Sequence, residues 1–177
     1  MTYSPAFGGV TEIVTGYSSD IGFIDYNDTA TSLLPLSVTA ILGEIALTND
    51  GLGIFSNSLY KPTGITDIWD SVSNKFDWTD LSLGDMVDIR LEIEVTTTSP
   101  NQYVEVNLYM NEGISEYSIP FVHQVYKSAG TYKISAFNGI YMGNTDALNN
   151  PAVFRILSDD DASVVVNGWY CKIIKKG

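Results

Sequence analysis

The feature that most constrains this chain is the alternation between residues 86 and 95. There Val87, Ile89, Leu91, Ile93 and Val95 are separated by Asp88, Arg90, Glu92 and Glu94. A period of two puts all five apolar side chains on one face of an extended strand, whereas a helix would scatter them around its axis. Residues 103 to 110 repeat the pattern, with Val104, Val106, Leu108 and Met110 facing one way and Tyr103, Glu105, Asn107 and Tyr109 the other. The polar loop 96–101, which contains Pro100, is expected to join the two runs as a hairpin.

Further strands follow from the same signals. Asn167 and Gly168 can supply the two positive-φ positions of a hairpin turn between SVVV and WYCKII. Such a turn places Val164, Val166, Trp169, Cys171 and Ile173 on one face and Val165, Tyr170 and Ile174 on the other. Both faces are then apolar, so something covers the second: the chain's own loops or another subunit. Val165, Tyr170 and Ile174 are the candidate subunit-contact residues.

Asn138 and Gly139 offer another turn, and PAVFRIL, LSVTAIL and EIALTN add β-prone runs. Ile65, Ile68, Trp69, Val72 and Phe76 fall at helical spacing, which allows one short helix or an irregular strand. The expected fold class is all-β: an antiparallel β-sandwich of jelly-roll type with about eight or more strands. Residues 1–30, including Val10, Ile13 and Val14, are read as an N-terminal arm or edge strand, and residues 31–177 as the jelly-roll domain.

Charge narrows the partners. Twenty-one acidic against nine basic residues give a net charge of −12, which repels phosphate backbones and anionic lipid. Neither nucleic acid nor membrane is an expected partner. Lys172, Lys175 and Lys176 form a short basic end, read as a solvated tail or a contact for an acidic partner. The lone Cys171 has no disulfide partner in the chain, MTYSPAFGGV has no export signal, and no apolar stretch approaches a membrane span. The expectation is synthesis in a reducing cytosol.

Catalytic sets are scarce. The single histidine, His123, makes most triads and histidine-rich metal sites impossible, and it reads as a partly buried sheet residue. Cys171 sits among apolar neighbours and reads as a buried small residue rather than a nucleophile. Asp159, Asp160 and Asp161 could bind Ca²⁺ or serve glycoside hydrolysis, but a solvated turn is the simpler reading. The expectation is no enzyme, no cofactor and no metal. Tyr103 and Tyr109, facing outward, are candidate exposed aromatic contacts for a sugar or a subunit interface.

The ordered stretches LSLGDMVDIRLEIEV, YKSAGTYKISAFNGIYMGN and SVVVNGWYCKIIKKG resemble small structural proteins of marine and cyanobacterial tailed phages. The domains of that family look like tumour-necrosis-factor-type jelly rolls. The likeness covers about residues 65 to 177 and includes Leu83, Gly84 and Asp85 at the entry to a strand. In the cellular tumour-necrosis-factor-like domains the Gly-Asp turn lies near the C-terminus, whereas here about half the chain follows it. What the resemblance implies is a homotrimer on the virion, bound to the capsid or another virion protein as a decoration protein, head fibre or knob. The alternative is a surface module that binds a host glycan or receptor.

Overall fold

A computed structural model describes residues 19–177. Val10, Ile13 and Val14, expected as a strand within the N-terminal arm or edge, lie outside the described residues. The fold is an all-β sandwich, and the described residues form eleven strands, nine in two antiparallel sheets and two (β4 and β5) in a separate ribbon: β1 (Ile21–Asn27), β2 (Leu36–Val38), β3 (Ile45–Ala46), β4 (Trp69–Asp70), β5 (Lys75–Phe76), β6 (Met86–Thr97), β7 (Gln102–Met110), β8 (Tyr117–Tyr126), β9 (Gly130–Tyr141), β10 (Val153–Ser158) and β11 (Ala162–Ile174). Two helical turns, α1 (Ala30–Leu33) and α2 (Thr145–Asn149), complete it.

The pairing is nested. β1 and β2 pair with β11, β3 with β10, β6 with β9, and β7 with β8, as in one long hairpin rolled into a sandwich. Cross-pairing of β11 with β6 and of β10 with β7 closes each sheet. The first sheet therefore runs β1/β2, β11, β6, β9 and the second β3, β10, β7, β8. This is the jelly-roll arrangement.

Alternation does its expected work in β6, where Val87, Ile89, Leu91, Ile93 and Val95 are all buried. The segment that follows is not a hairpin. β6 lies in the first sheet and β7 in the second, so residues 98–101 arch between layers, with Asn101 at φ 58° and the Gln102 amide tied to the Asp160 and Asp161 carbonyls at 2.9 and 3.0 Å. Period-two patterning assigns a face to each residue but does not say which sheet a strand joins.

The expected turn at Asn167–Gly168 is also corrected. β11 runs straight through it, and the register steps from Val166↔Ile93 to Gly168↔Glu92, leaving Asn167 as the extra residue of a β-bulge. The bulge inverts the alternation, so Val164 and Val166 face the core with Trp169, Cys171 and Ile173, the same set a hairpin would have aligned. Gly168 is required there, since its φ is 150° and a Cβ would collide with the Tyr26 carbonyl oxygen.

Opposite the bulge the edge strand is broken. α1 separates β1 from β2, and its buried Thr31 hydroxyl accepts from Val166 N at 2.8 Å and has Asp28 Oδ2 at 2.6 Å and Val166 O at 3.1 Å as acceptors for its one proton. Asp28 N donates to Asn167 O at 3.1 Å. One hydroxyl thus replaces a stretch of sheet ladder.

Asn138 and Gly139 likewise form no turn; they pair with Ile89 and Asp88 inside the continuous strand β9. Nor is there a helix over residues 65–76. β4 and β5 form a small two-stranded ribbon in which Asn74 has φ 56°. The apparent helical spacing arises because Ile65, Ile68, Trp69 and Phe76 are buried by an irregular path, while Val72 is exposed at the ribbon tip. Phe76 stacks on Trp78 at 5.0 Å, and Trp69 meets Trp169 edge-on at 4.4 Å. The ribbon thereby seals one end of the sandwich with aromatic rings.

Candidate functional site

The outward tyrosines of β7 do not form a free platform. Tyr103 and Tyr109 are half-buried and six residues apart on one strand, about 20 Å at the usual rise. The Tyr103 hydroxyl donates to Glu105, which pushes its pKa up to about 12, and its ring meets His123 edge-on at 5.1 Å. The Tyr109 hydroxyl donates to Glu44, and the Arg155 guanidinium covers its ring at 4.6 Å from the centroid. Arg155 is itself held by Glu116 at 2.8 and 3.0 Å. His123 is exposed on β8 rather than partly buried.

Val165, Tyr170 and Ile174 do share the outer face of β11, and each is half-buried. Tyr170 has neighbours from its own chain: Phe23, with centroids 5.6 Å apart, and the Arg90 guanidinium 5.3 Å from its centroid. Arg90 is oriented by Glu92 at 3.1 Å. Beside them, burial lifts the Asp25 carboxyl above its ordinary range, against the pull of Arg90.

Phe23 and Tyr170 form the floor of an open groove of about 590 Å³. Its walls are Ile21 from β1, Lys172 from β11, and Leu59, Tyr60 and Lys61 from the loop that follows β3. That loop runs along the free edge of β1: Phe23 N donates to Tyr60 O at 3.0 Å, Asp25 N to Asn57 O at 2.8 Å, and Gly53 N to Asn27 O at 2.9 Å. Gly22 permits the close approach, because a Cβ there would strike the Tyr60 carbonyl oxygen. Phe23 and Tyr60 have ring centroids 5.4 Å apart, so the three rings form a row.

A second surface lies in the loops around β2 and β3. Leu33, Leu34, Ile41, Leu42, Leu52, Ile54, Phe55 and Leu59 are all exposed, from 68% at Leu42 to 96% at Ile41. The backbone beneath is well organised. Asp28 accepts from Thr31 N and Asp50 N at 2.7 and 2.8 Å, and Asp50 accepts from Thr29 N and Leu52 N at 3.0 and 2.9 Å. The apolar side chains are thus held outward on a structured base. LSVTAIL, read as a β-prone run, is a strand only at Leu36–Val38, and Ile41 and Leu42 fall in the turn that follows.

The remaining candidates are structural. Asp159 Oδ1 accepts from Tyr103 N at 2.8 Å, Asp160 accepts from the Ser99 hydroxyl and from Asp161 N, and all three carboxylates are exposed at the turn before β11. Among the described residues no group of three or more His, Cys, Asp or Glu side chains is placed to hold a metal. Cys171 is fully buried, and burial pushes its thiol well above the ordinary range. The basic end is not a free tail: Lys172 lies within β11, Lys175 Nζ donates to Thr63 O at 2.8 Å, and Lys176 N donates to the buried Asp85 carboxylate at 2.7 Å. Among the described residues no helix is long and apolar enough to cross a membrane.

No family model matches the sequence, and no curated protein matches it. Among solved structures, the chain is similar to one described as the structure of infectious bursal disease virus Gx strain, at 11% identity and a TM-score of 0.45, covering 89% of this chain and 32% of that one. It is also similar to the CBM22-1 xylan-binding domain from Paenibacillus barcinonensis Xyn10C, at 12% identity and 0.40, covering 80% and 95%. A third likeness is to naturally occurring empty particles of cowpea mosaic virus, at 11% and 0.30, covering 86% and 79%. The chain spans about a third of the length of the bursal disease virus chain. Viral particle proteins and a xylan-binding domain thus stand among the structural neighbours, and identities and scores this low carry no information about what this chain binds or joins.

Proposed function

We propose that this protein is a non-enzymatic structural subunit of a virion, decorating the capsid or another part of the head or tail surface of a tailed phage and assembling as a homotrimer. The observation that carries this reading is the exposed apolar surface of Leu33, Leu34, Ile41, Leu42, Leu52 and Ile54 on loops that hydrogen bonds hold in place. Monomeric proteins rarely expose so many large apolar side chains from one short segment, and burial between subunits removes them from water. The trimer and the phage setting rest on the resemblance of the stretches around Leu83-Gly84-Asp85 and the last strand. Synthesis in the host cytoplasm followed by incorporation into the particle completes the proposal.

Light scattering of the purified protein over a range of concentrations tests it. A constant mass near three chains is expected, together with co-sedimentation with purified capsids. A clean monomer that ignores capsids overturns the reading.

A second reading, a surface module that binds a host glycan, is favoured by one observation: three aromatic rings line an open groove beside the first strand. Retention on immobilised host polysaccharide tests it.

A further inference from the structure

We propose that the groove between β1, the end of β11 and the 59–61 loop binds an acidic polysaccharide, with Phe23, Tyr60 and Tyr170 stacking on successive sugar faces and Lys61 and Lys172 meeting the sugar carboxylates. This deepens the glycan-binding reading and is independent of how the subunits assemble.

The ring row carries the first half of the argument. Successive centroids lie 5.4 and 5.6 Å apart, and the planes are tilted by 37° and 33°, so neighbouring rings overlap at a shallow angle rather than meeting edge-on as in the core cluster. Phe23 and Tyr60 are exposed, at 37% and 60%. The rings are also fixed before any ligand arrives. Tyr60 is anchored through its carbonyl to Phe23 N, and Tyr170 is braced by Arg90, which Glu92 holds in turn. A rigid aromatic surface that presents apolar faces while polar groups stand at its margins suits a pyranose ring, whose C–H face is apolar and whose edge is polar.

Charge carries the second half. Of the nine basic residues, Lys75, Arg90, Lys133 and Arg155 are in ion pairs. Among the described residues Lys61, Lys127, Lys172, Lys175 and Lys176 are in none, and two of these five, Lys61 and Lys172, line the groove of a strongly acidic protein. Lys61 Nζ donates to Thr66 O at 2.6 Å, which leaves two of its protons for a ligand. Lys175 and Lys176 follow at the same end of the sheet.

A protein interface of this kind would be depleted in lysine. Cations at the margin of an aromatic groove call for a ligand with apolar faces and spaced negative charges. A nucleic acid offers stacking faces too, but every nucleotide carries a phosphate, whereas a polysaccharide can space its uronates among neutral sugars, which the overall charge of −12 and the nearby Asp25 and Glu92 oppose less. Uronate-containing polysaccharide meets the requirement with one carboxylate per charged sugar.

The test is calorimetric titration of the full chain with oligogalacturonate, with a neutral cello-oligosaccharide and oligothymidylate as comparisons. Oligogalacturonate is expected to bind best, with an affinity that falls as salt rises. Tyr60→Ala and Tyr170→Ala should each weaken it roughly tenfold. Lys172→Gln should weaken it and flatten the salt dependence. Tyr60 lies on an exposed loop, so its variant should keep the native melting temperature, checked in the same preparation. Absence of binding to oligogalacturonate overturns the proposal, as do equal or tighter binding of oligothymidylate and binding indifferent to Tyr60→Ala and Lys172→Gln. A fall in solution mass on Tyr60→Ala also overturns it, since a second copy of the chain would then occupy the groove. A monomeric wild-type protein that still binds oligogalacturonate would sink the assembly reading and leave this one standing.

Discussion

The strands from β6 to β11 and the segment from Asp28 to Asp85 are built on different principles. In the first, order comes from ladders: β6, β7, β10 and β11 alternate buried and outward residues, and their inward side chains are almost fully excluded from water. In the second, regular pairing is sparse and carboxylates and amides hold the backbone. Asp50 gathers Thr29 and Leu52, Asn49 reaches Tyr26 O at 2.9 Å, and Asp70 caps Val72 N at 2.9 Å. The ladder region spends most of its apolar residues on its own core, although Phe137 and Tyr141 of β9 stay exposed. The capped region sends Ile65, Ile68, Trp69, Phe76 and Trp78 inward but turns a comparable set outward, which leaves it free to contact something else.

The largest break in that comparison is expected at Trp169, where the two regions meet through Trp69 and Phe76. Trp169→Ala should destabilise the fold by about 3–5 kcal/mol, measured by denaturant unfolding. Its indole N–H has no hydrogen-bond partner among the described residues, so the loss is one of packing. Next, Gly168→Ala should cost about 2 kcal/mol by the same measurement, because the bulge needs a positive φ and leaves no room for a Cβ. Thr31→Val, which strips the hydroxyl from both Val166 backbone groups, should cost about 1–3 kcal/mol and raise amide exchange at Val166.

Smaller effects sharpen the contrast. Burial alone would raise the Asp50 carboxyl, but hydrogen bonds from the Thr29 hydroxyl and from the N–H groups of Leu52, Thr29 and Ala30 outweigh it and lower its pKa. Its contribution is therefore present above the ordinary carboxylate range and is lost as pH falls through the lowered value. Asp50→Asn should flatten the acid limb of a melting-temperature profile, modestly, since solvent still reaches and screens this half-buried group. Last, Ile41→Ser with Ile54→Ser should change monomer stability by no more than about 0.5 kcal/mol. The same pair should lower the mass seen by light scattering. Loss of folding in that double variant would show that the outward residues serve the fold after all.

Legibility in the sequence followed the same division. The alternation of Val87 to Val95 and of Val104 to Met110 identifies strands and their faces because burial on one side imposes it. It does not distinguish a hairpin from an arch between sheets, and so the link from Thr97 to Gln102 could not be read. Asn167-Gly168 signals a positive φ, which a turn and a bulge both require. Only the partner strand decides between them, here Ile93 and Glu92 running past without a break. The groove was hidden for a different reason: Phe23, Tyr60 and Tyr170 come from three distant parts of the chain, and no local pattern joins them. The outward tyrosines of β7 were visible, and so was Glu105 beside Tyr103 on the same face, but Glu44, which engages the Tyr109 hydroxyl, arrives only with the tertiary fold.

The nesting of early strands with late ones has a consequence for biosynthesis. β1 and β2 have their ladder partner only in β11, and β6 lacks one of its two neighbours until that strand exists. A nascent chain halted before residue 162 leaves the first sheet open, with Ile24, Tyr26 and the inner face of β6 uncovered. Its long-range pairing also makes folding slow relative to local structure. The first sheet thus acquires its finished surface only after the ribosome has made β11, the strand that lies between β1 and β6.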